Sequence, residues 1–170
     1  MNAYNQPLRR IRICIWIIIT GLALSGLTAF PLESELGLIK DHLNWLPAVF
    51  PRWINSIYNI LHTVNGRYPY LSYGTDWLAF AHLVLALLFV GPLLNPVKNI
   101  WVIEFGMMAC ILVIPLAFVA GCIRHIPTFW RLIDCSFGVV GIIPLYVAYR
   151  LTQTLSQTEK VSASVLTTSN

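Results

Sequence analysis

The segment IWVIEFGMMACILVIPLAFVAGCI, residues 100–123, contains a single charged side chain, Glu104, among its 24 residues. An α-helix rises 1.5 Å per residue, so a helix of this length can cross the roughly 30 Å hydrocarbon core of a bilayer. Lipid offers no hydrogen-bond partners, and a helix satisfies its backbone polar groups within one segment. We therefore interpret residues 100–123 as a transmembrane helix.

Three further segments are apolar over similar lengths: Ile13–Phe30, Trp77–Leu94 and Leu132–Tyr149. The chain of 170 residues is 57% hydrophobic and only 11% charged, whereas about 25% of the residues of a soluble domain are charged. We predict an all-α integral membrane protein in which four transmembrane helices form a bundle.

The lengths of these segments also predict the domain boundaries. We expect one four-span membrane domain over residues 1–157, with spans at about 13–30, 77–94, 100–123 and 130–150. The last residues, 158–170, contain many Ser and Thr and few large apolar side chains. Because such a segment has little apolar surface to bury, we predict a disordered tail there.

Basic residues near the spans predict how the chain is threaded. Arg9, Arg10 and Arg12 precede the first span, and Lys and Arg accumulate on the cytoplasmic side of membranes. Four crossings then return the carboxyl terminus to the cytoplasm. We expect a multi-pass protein of the plasma membrane or of a bacterial inner membrane. The net charge of +4 is spread around the span ends, so we expect no nucleic-acid partner.

The loop at residues 31–75 has helical periodicity of its own. Apolar residues of its second half, such as Trp53, Ile57 and Leu61, recur at helical spacing, and a shorter stripe runs from Leu36 to Leu46. We predict two amphipathic helices in this first extracytoplasmic loop, which lie flat on the outer leaflet or cap the outer end of the bundle.

Small residues recur four positions apart within the spans, as in Gly21-x3-Ser25, Gly106-x3-Cys110 and Ala117-x3-Gly121. Small side chains allow helix backbones to approach closely, and dispersion then holds the helices together in lipid. These surfaces predict tight packing within the chain, or contact with a membrane-protein partner or a second copy.

Several ionisable residues lie inside the predicted spans or at their outer ends, where a charge is costly and marks a functional site by default. Glu104 is an intramembrane acid near the inner face. The remaining residues would form a binding cluster at the outer face: Asp76, His82, Arg124, His125, Arg131 and Asp134. The cluster predicts either a ligand site or a polar network that fixes the helix register. A local Arg131–Asp134 ion pair is a simpler interpretation of those two residues.

The positions of the cysteines and histidines limit which cofactors the chain could bind. Cys14, Cys110, Cys122 and Cys135 lie in or beside the spans and form no CxxC motif, so we expect no metal site. No cofactor is identified by the sequence. Haem b, which needs two axial ligands, remains one hypothesis, with His82 paired to His62 or to His125.

Two functional hypotheses follow from this pattern. The first is a non-catalytic membrane subunit or scaffold that binds a partner. The alternative is a membrane-embedded enzyme or a haem- or quinone-dependent redox protein. In that alternative His82 is the proton carrier or ligand, Asp134 orients it and Arg131 holds an anionic group. No catalytic motif distinguishes the two.

Overall fold

A computed structural model describes residues 2–43 and 45–168, which are 88% helical and contain no strand. The helices are α1 (Asn2–Ala29), α2 (Leu32–Ile39), α3 (Val49–Arg67), α4 (Tyr73–Leu88), α5 (Val90–Leu94), α6 (Ile100–Ile123) and α7 (Thr128–Thr168). Two 3₁₀ turns, Lys40–His42 and Pro69–Leu71, follow α2 and α3. The all-helical prediction is confirmed.

Within the described residues, four helical segments are long and apolar enough to cross a membrane. They are Asn5–Ala29, Pro69–Leu94, Ile100–Ile123 and Thr128–Glu159. The third has the predicted bounds, and the others are longer because helix continues into the polar flanks. The predicted disorder of 158–170 stays a prediction: α7 is helical to Thr168, and residues 169 and 170 lie outside the described part of the chain.

The second apolar segment differs from its prediction in two places. The helix begins before the predicted span, because α4 starts at Tyr73 and includes Gly74, Thr75 and Asp76 in its first turn. The helix is also interrupted at Phe89, which separates α4 from α5. A short turn then leads to α6, as the Asn95–Asn99 sequence predicts.

Contacts along the chain divide it into two compact units, residues 1–20 with 87–170 and residues 21–86. In the first unit α6 packs along α7. A Cβ atom at Gly138 would meet the Cys110 carbonyl oxygen and lie 2.6 Å from Val113 Cγ1. A Cβ atom at Gly106 would lie 2.7 Å from the Phe89 ring. These contacts are possible only because both positions lack a side chain.

In the unit of residues 21–86, glycines again mark the closest helix contacts. A Cβ atom at Gly26 of α1 would lie 2.8 Å from the Ala79 carbonyl oxygen of α4. A Cβ atom at Gly37 of α2 would lie 3.2 Å from the Tyr58 ring of α3. Leu36 of α2 and Ile54 of α3 are buried.

The loop at 31–75 contains the helices α2 and α3, and the prediction that two amphipathic helices lie there stays a prediction. The apolar stripe runs from Leu36 to Leu46, but α2 ends at Ile39. A 3₁₀ turn follows from Lys40, and Pro47 lies beyond it. The bundle of four spans, the placement of α2 and α3 on the outer leaflet, and the single domain over 1–157 stay predictions.

Candidate functional site

A polar network joins α2, α3 and the turn before α4. Glu33 Oε1 lies 2.7 Å from His62 Nδ1, and Asn65 Nδ2 donates a 2.5 Å hydrogen bond to Glu33 Oε2. Ser72 Oγ donates to Asn65 Oδ1. We call Glu33, His62, Asn65 and Ser72 the Glu33 network. Both oxygens of its carboxylate are therefore engaged by α3.

Helical spacing explains why these residues meet. Glu33 and Gly37 stand at i and i+4 on α2, Lys40 follows at i+7 as the first residue of the 3₁₀ turn, and residues three or four apart share one face of a helix. The facing stripe on α3 contains Tyr58 and His62, whose rings stack with centroids 5.8 Å apart. Lys40 Nζ lies 4.1 Å from the Tyr58 ring centroid, and Gly37 leaves room for that ring.

The network keeps Glu33 ionised. The pKa of Glu33 is lowered, first because Asn65 donates a hydrogen bond to the carboxylate and second because His62 does so. A hydrogen bond to the charged form favours that form. The side chain of Glu33 is 29% exposed, so water also solvates it. A fixed negative charge therefore stands at the start of α2.

Beside this network lies a half-open pocket with a volume of about 190 Å³. Its apolar side comes from the end of α1, the start of α2 and one residue of α3: Ala29, Phe30, Pro31, Leu32 and Leu61. All of these residues belong to the unit of residues 21–86.

The polar side of the pocket carries carboxylates, hydroxyls and one amide: Glu33, Ser34, Asn65, Ser72, Thr75 and Asp76. Asp76 lies in the first turn of α4, where a carboxylate is favoured by the positive end of the helix dipole. Among the described residues, no donor bonds to the Asp76 carboxylate. The pocket is thus lined by Glu33, whose carboxylate α3 engages, and by Asp76, whose carboxylate has no partner in the described part of the chain.

Arg131, a predicted catalytic residue, is bound to the turn between α6 and α7. Its Nε donates to Ile126 O at 2.7 Å, and its Nη1 donates to Cys122 Sγ at 3.0 Å. The simpler interpretation of an Arg131–Asp134 ion pair is wrong, because among the described residues no ion pair joins Arg131 to Asp134. Arg131 closes its own turn, because the carbonyl there needs a donor.

Arg124 and His125, two further members of the predicted cluster, lie exposed in that same turn. Ile126 N donates to Gly121 O and His125 N donates to Cys122 O, which is a Schellman motif. His125 occupies the left-handed position of the motif, with φ of 55°. Its role in the fold is therefore that of a helix terminator.

His82 is held by its own helix, since Nδ1 donates to Leu78 O at 2.8 Å and only Nε2 remains for a ligand. Glu104 is partly exposed and, in the described chain, pairs with neither Lys98 nor Arg150. His82 and Asp76 belong to one compact unit, whereas Arg124, His125, Arg131 and Asp134 belong to the other. The outer-face cluster and the haem hypothesis stay predictions.

The described part of the chain contains few other groups that could bind a metal or react. No group of three or more His, Cys, Asp and Glu residues there could hold a metal ion. The four cysteines are free thiols, with Cys135 buried and Cys122 exposed. Comparison with protein families, with characterised proteins and with solved structures gave no match.

Sequence reasoning missed Glu33, Asn65 and Ser72 as site residues. The network joins residues 29 and 32 positions apart in sequence, and no local motif records such a pairing. The sequence contains one weak indication of the network. Glu33 lies one turn before Gly37, on the face of α2 that meets α3.

Proposed function

We propose that this chain is a small multi-pass membrane protein, with both termini in the cytoplasm, that serves as a non-catalytic subunit or scaffold. The proposed membrane is the plasma membrane or a bacterial inner membrane, and the proposed partner is another membrane helix, from a different protein or a second copy. The four apolar helices support the membrane location.

One observation carries the scaffold hypothesis: the small-residue surface at Gly21 and Ser25 of α1 is exposed and unfilled. Nothing lies within 4 Å of a Cβ atom added at Gly21. By contrast, Gly26, Gly106 and Gly138 are each in close contact with another helix. A helix that offers such a surface to lipid can bind a further helix closely.

The local hydrogen bonds of Arg131 and His82 support a structural role for both residues. Each side chain satisfies a backbone carbonyl of its own turn or helix. Neither bond requires a substrate, and each is explained by the need to satisfy polar groups.

The test measures the mass of the native assembly in mild detergent, with Gly21→Leu as the disrupting variant. A leucine there fills the surface and prevents close helix approach, so the complex should dissociate to the 19.2 kDa monomer. Ala109→Leu, at an exposed small residue of α6, is the control and should leave the complex intact. A native chain that is already monomeric in its membrane would refute the scaffold proposal.

The enzyme hypothesis makes the opposite prediction for His82→Gln. Glutamine can still donate a hydrogen bond, so a scaffold should assemble unchanged. An enzyme that uses His82 as a proton carrier should lose turnover while keeping its fold. The assembly mass of the variant tests the scaffold, and loss of a haem absorption band in the purified variant tests His82 as a haem ligand in the redox form of the enzyme hypothesis.

A further inference from the structure

Large apolar side chains are exposed where α2 gives way to α3. The exposed fraction is 74% for Leu38, 45% for Ile39, 79% for Trp45 and 48% for Val49. We call these four residues the apolar tip. Exposed apolar groups of this size, gathered in one region, mark a site of interaction with a protein or a membrane.

Away from the apolar tip, the same two helices cover their apolar side chains. Leu36 and Ile54 are buried, and Leu61 of α3 lines the pocket together with Phe30, at the end of α1. The 19 residues of α3 extend over about 28 Å at 1.5 Å per residue, whereas one helix is roughly 10–12 Å across. The helix α3 therefore reaches well beyond the end of α1, and the apolar tip lies at its remote end.

Both ends of this part of the chain are attached to candidate spans. The helix α1 ends at Ala29 and α2 begins at Leu32, while α3 ends at Arg67 and the next candidate span begins at Pro69. This inference rests on the membrane location under Proposed function. Given that location, connections this short hold α2 and α3 at the surface of the bilayer, so lipid is the first surface that the apolar tip meets.

The charges beside the apolar tip match a phospholipid surface. The sequence of residues 42–75 contains Arg52 and Arg67 but no Asp or Glu. Arg52 is exposed, and its Nε donates a 3.1 Å hydrogen bond to the carbonyl oxygen of Ala48, which directly precedes Val49. A guanidinium group pairs well with phosphate oxygens. Basic residues next to Trp and Leu are typical of helices that lie in a membrane interface.

We propose that the apolar tip inserts into the outer leaflet, with Leu38, Ile39 and Val49 at the boundary of the acyl chains and the guanidinium of Arg52 at the lipid phosphates. Trp45 then lies at the headgroup level, where an indole ring is half in lipid and its N–H meets polar groups. Of the two placements predicted for α2 and α3, the charges and the short connections favour the outer leaflet over a cap on the bundle.

A second copy of the chain is a poorer match to the same surface. Two copies that meet through one symmetric patch bring identical residues towards each other. Arg52 would then approach the Arg52 of the other copy, and like charges placed together across an interface are unfavourable. Lipid phosphates offer the opposite charge instead.

The test measures the depth of single fluorescent labels on the full-length protein in phosphatidylcholine nanodiscs. The four cysteines are replaced by alanine, and Val49→Cys carries an environment-sensitive nitrobenzoxadiazole label. Ser56→Cys, at an exposed residue of α3 outside the apolar tip, is the control. Doxyl-labelled phosphatidylcholine should quench the label at position 49 at least about twofold more than the label at position 56. Iodide in the water should quench the two labels in the opposite order.

A second pair of variants tests the assigned cation. Arg52→Gln removes the charge beside the apolar tip, so iodide should quench the label at position 49 more strongly in this variant. Arg67→Gln removes the same charge at the other end of α3 and should leave that quenching unchanged. Equal iodide quenching with and without Arg52→Gln would contradict the contact with lipid phosphates.

A label at Leu112→Cys, an exposed residue within α6, tests the membrane location separately. Lipid quenching at position 112 but not at position 49 overturns the insertion of the apolar tip and leaves the membrane location standing. Protection of position 49 from both quenchers also overturns it, because a protein surface then covers the apolar tip. A label at position 112 that only iodide quenches refutes the membrane location, and the insertion with it.

Discussion

At the scale of single residues, the Glu33 network holds one carboxylate of α2 in its charged form. Asn65 and His62 hold the Glu33 carboxylate at 2.5 and 2.7 Å and lower its pKa. The acid therefore stays ionised in the folded protein at pH values where an unfolded glutamate begins to take up a proton. The charge and the α2–α3 contact are linked.

This linkage predicts a pH dependence of stability. Because the pKa of Glu33 is lower in the folded state than the ordinary 4.5, the network's contribution is complete above pH 4.5 and is lost as the pH falls through the lowered pKa. The difference in free energy of unfolding between the native chain and Glu33→Gln should shrink over that range. Glu35→Gln, at an acid of α2 outside the network, is the control variant. A pH-independent difference for Glu33→Gln would contradict the linkage.

His125 gives a second prediction at this scale. A histidine in the left-handed region is strained, whereas glycine adopts φ of 55° readily. His125→Gly should therefore raise the free energy of unfolding by about 0.5–1 kcal/mol. His125→Ala removes the same imidazole without relieving the backbone, so it should not stabilise. Thermal unfolding in detergent measures both, and equal behaviour of the two variants would point to a role for the ring.

At the scale of helices, the closest approach of α6 and α7 depends on Gly138. A methyl group there would meet the Cys110 carbonyl oxygen and Val113 Cγ1, and a backbone carbonyl has little freedom to move. We expect Gly138→Ala to destabilise the folded protein by about 1–3 kcal/mol.

Gly21→Ala is the matched control, because nothing lies within 4 Å of an added Cβ atom there. It should be neutral, or stabilising by up to about 1 kcal/mol through the higher helix propensity of alanine. Unfolding in increasing sodium dodecyl sulfate compares the two variants. A neutral Gly138→Ala would mean that α6 and α7 are not held together at this contact.

At the scale of the whole molecule, the four apolar helices and the basic amino-terminal flank predict the topology. Single cysteines placed at the exposed residues Asn5 and Gln157, in a chain with its four cysteines replaced by alanine, should react with a membrane-impermeant maleimide only from the cytoplasmic side. A cysteine at the exposed Ser56 of α3 should react only from the opposite side. Labelling of Asn5→Cys and Gln157→Cys from opposite faces would refute an even number of crossings.

The sequence alone determined the all-helical fold and the four apolar segments, including the bounds of α6 at Ile100 and Ile123. Hydrophobicity over about 20 residues is a local property, and lipid requires the backbone of such a segment to satisfy itself. The sequence also predicted the short turn before α6, because Asn95, Pro96 and Asn99 are residues typical of turns.

Only the tertiary structure decided which polar side chains meet. Glu33 joins α3 across about 30 residues of sequence, Arg131 binds its turn instead of Asp134, and His125 ends a helix. Such pairings depend on how two helix faces pack. A shift of one helix by a single turn along its neighbour would give each side chain a different partner. Periodicity places a residue on a face of its helix, but the partner of that face is set by the close contacts at Gly37 and Gly138.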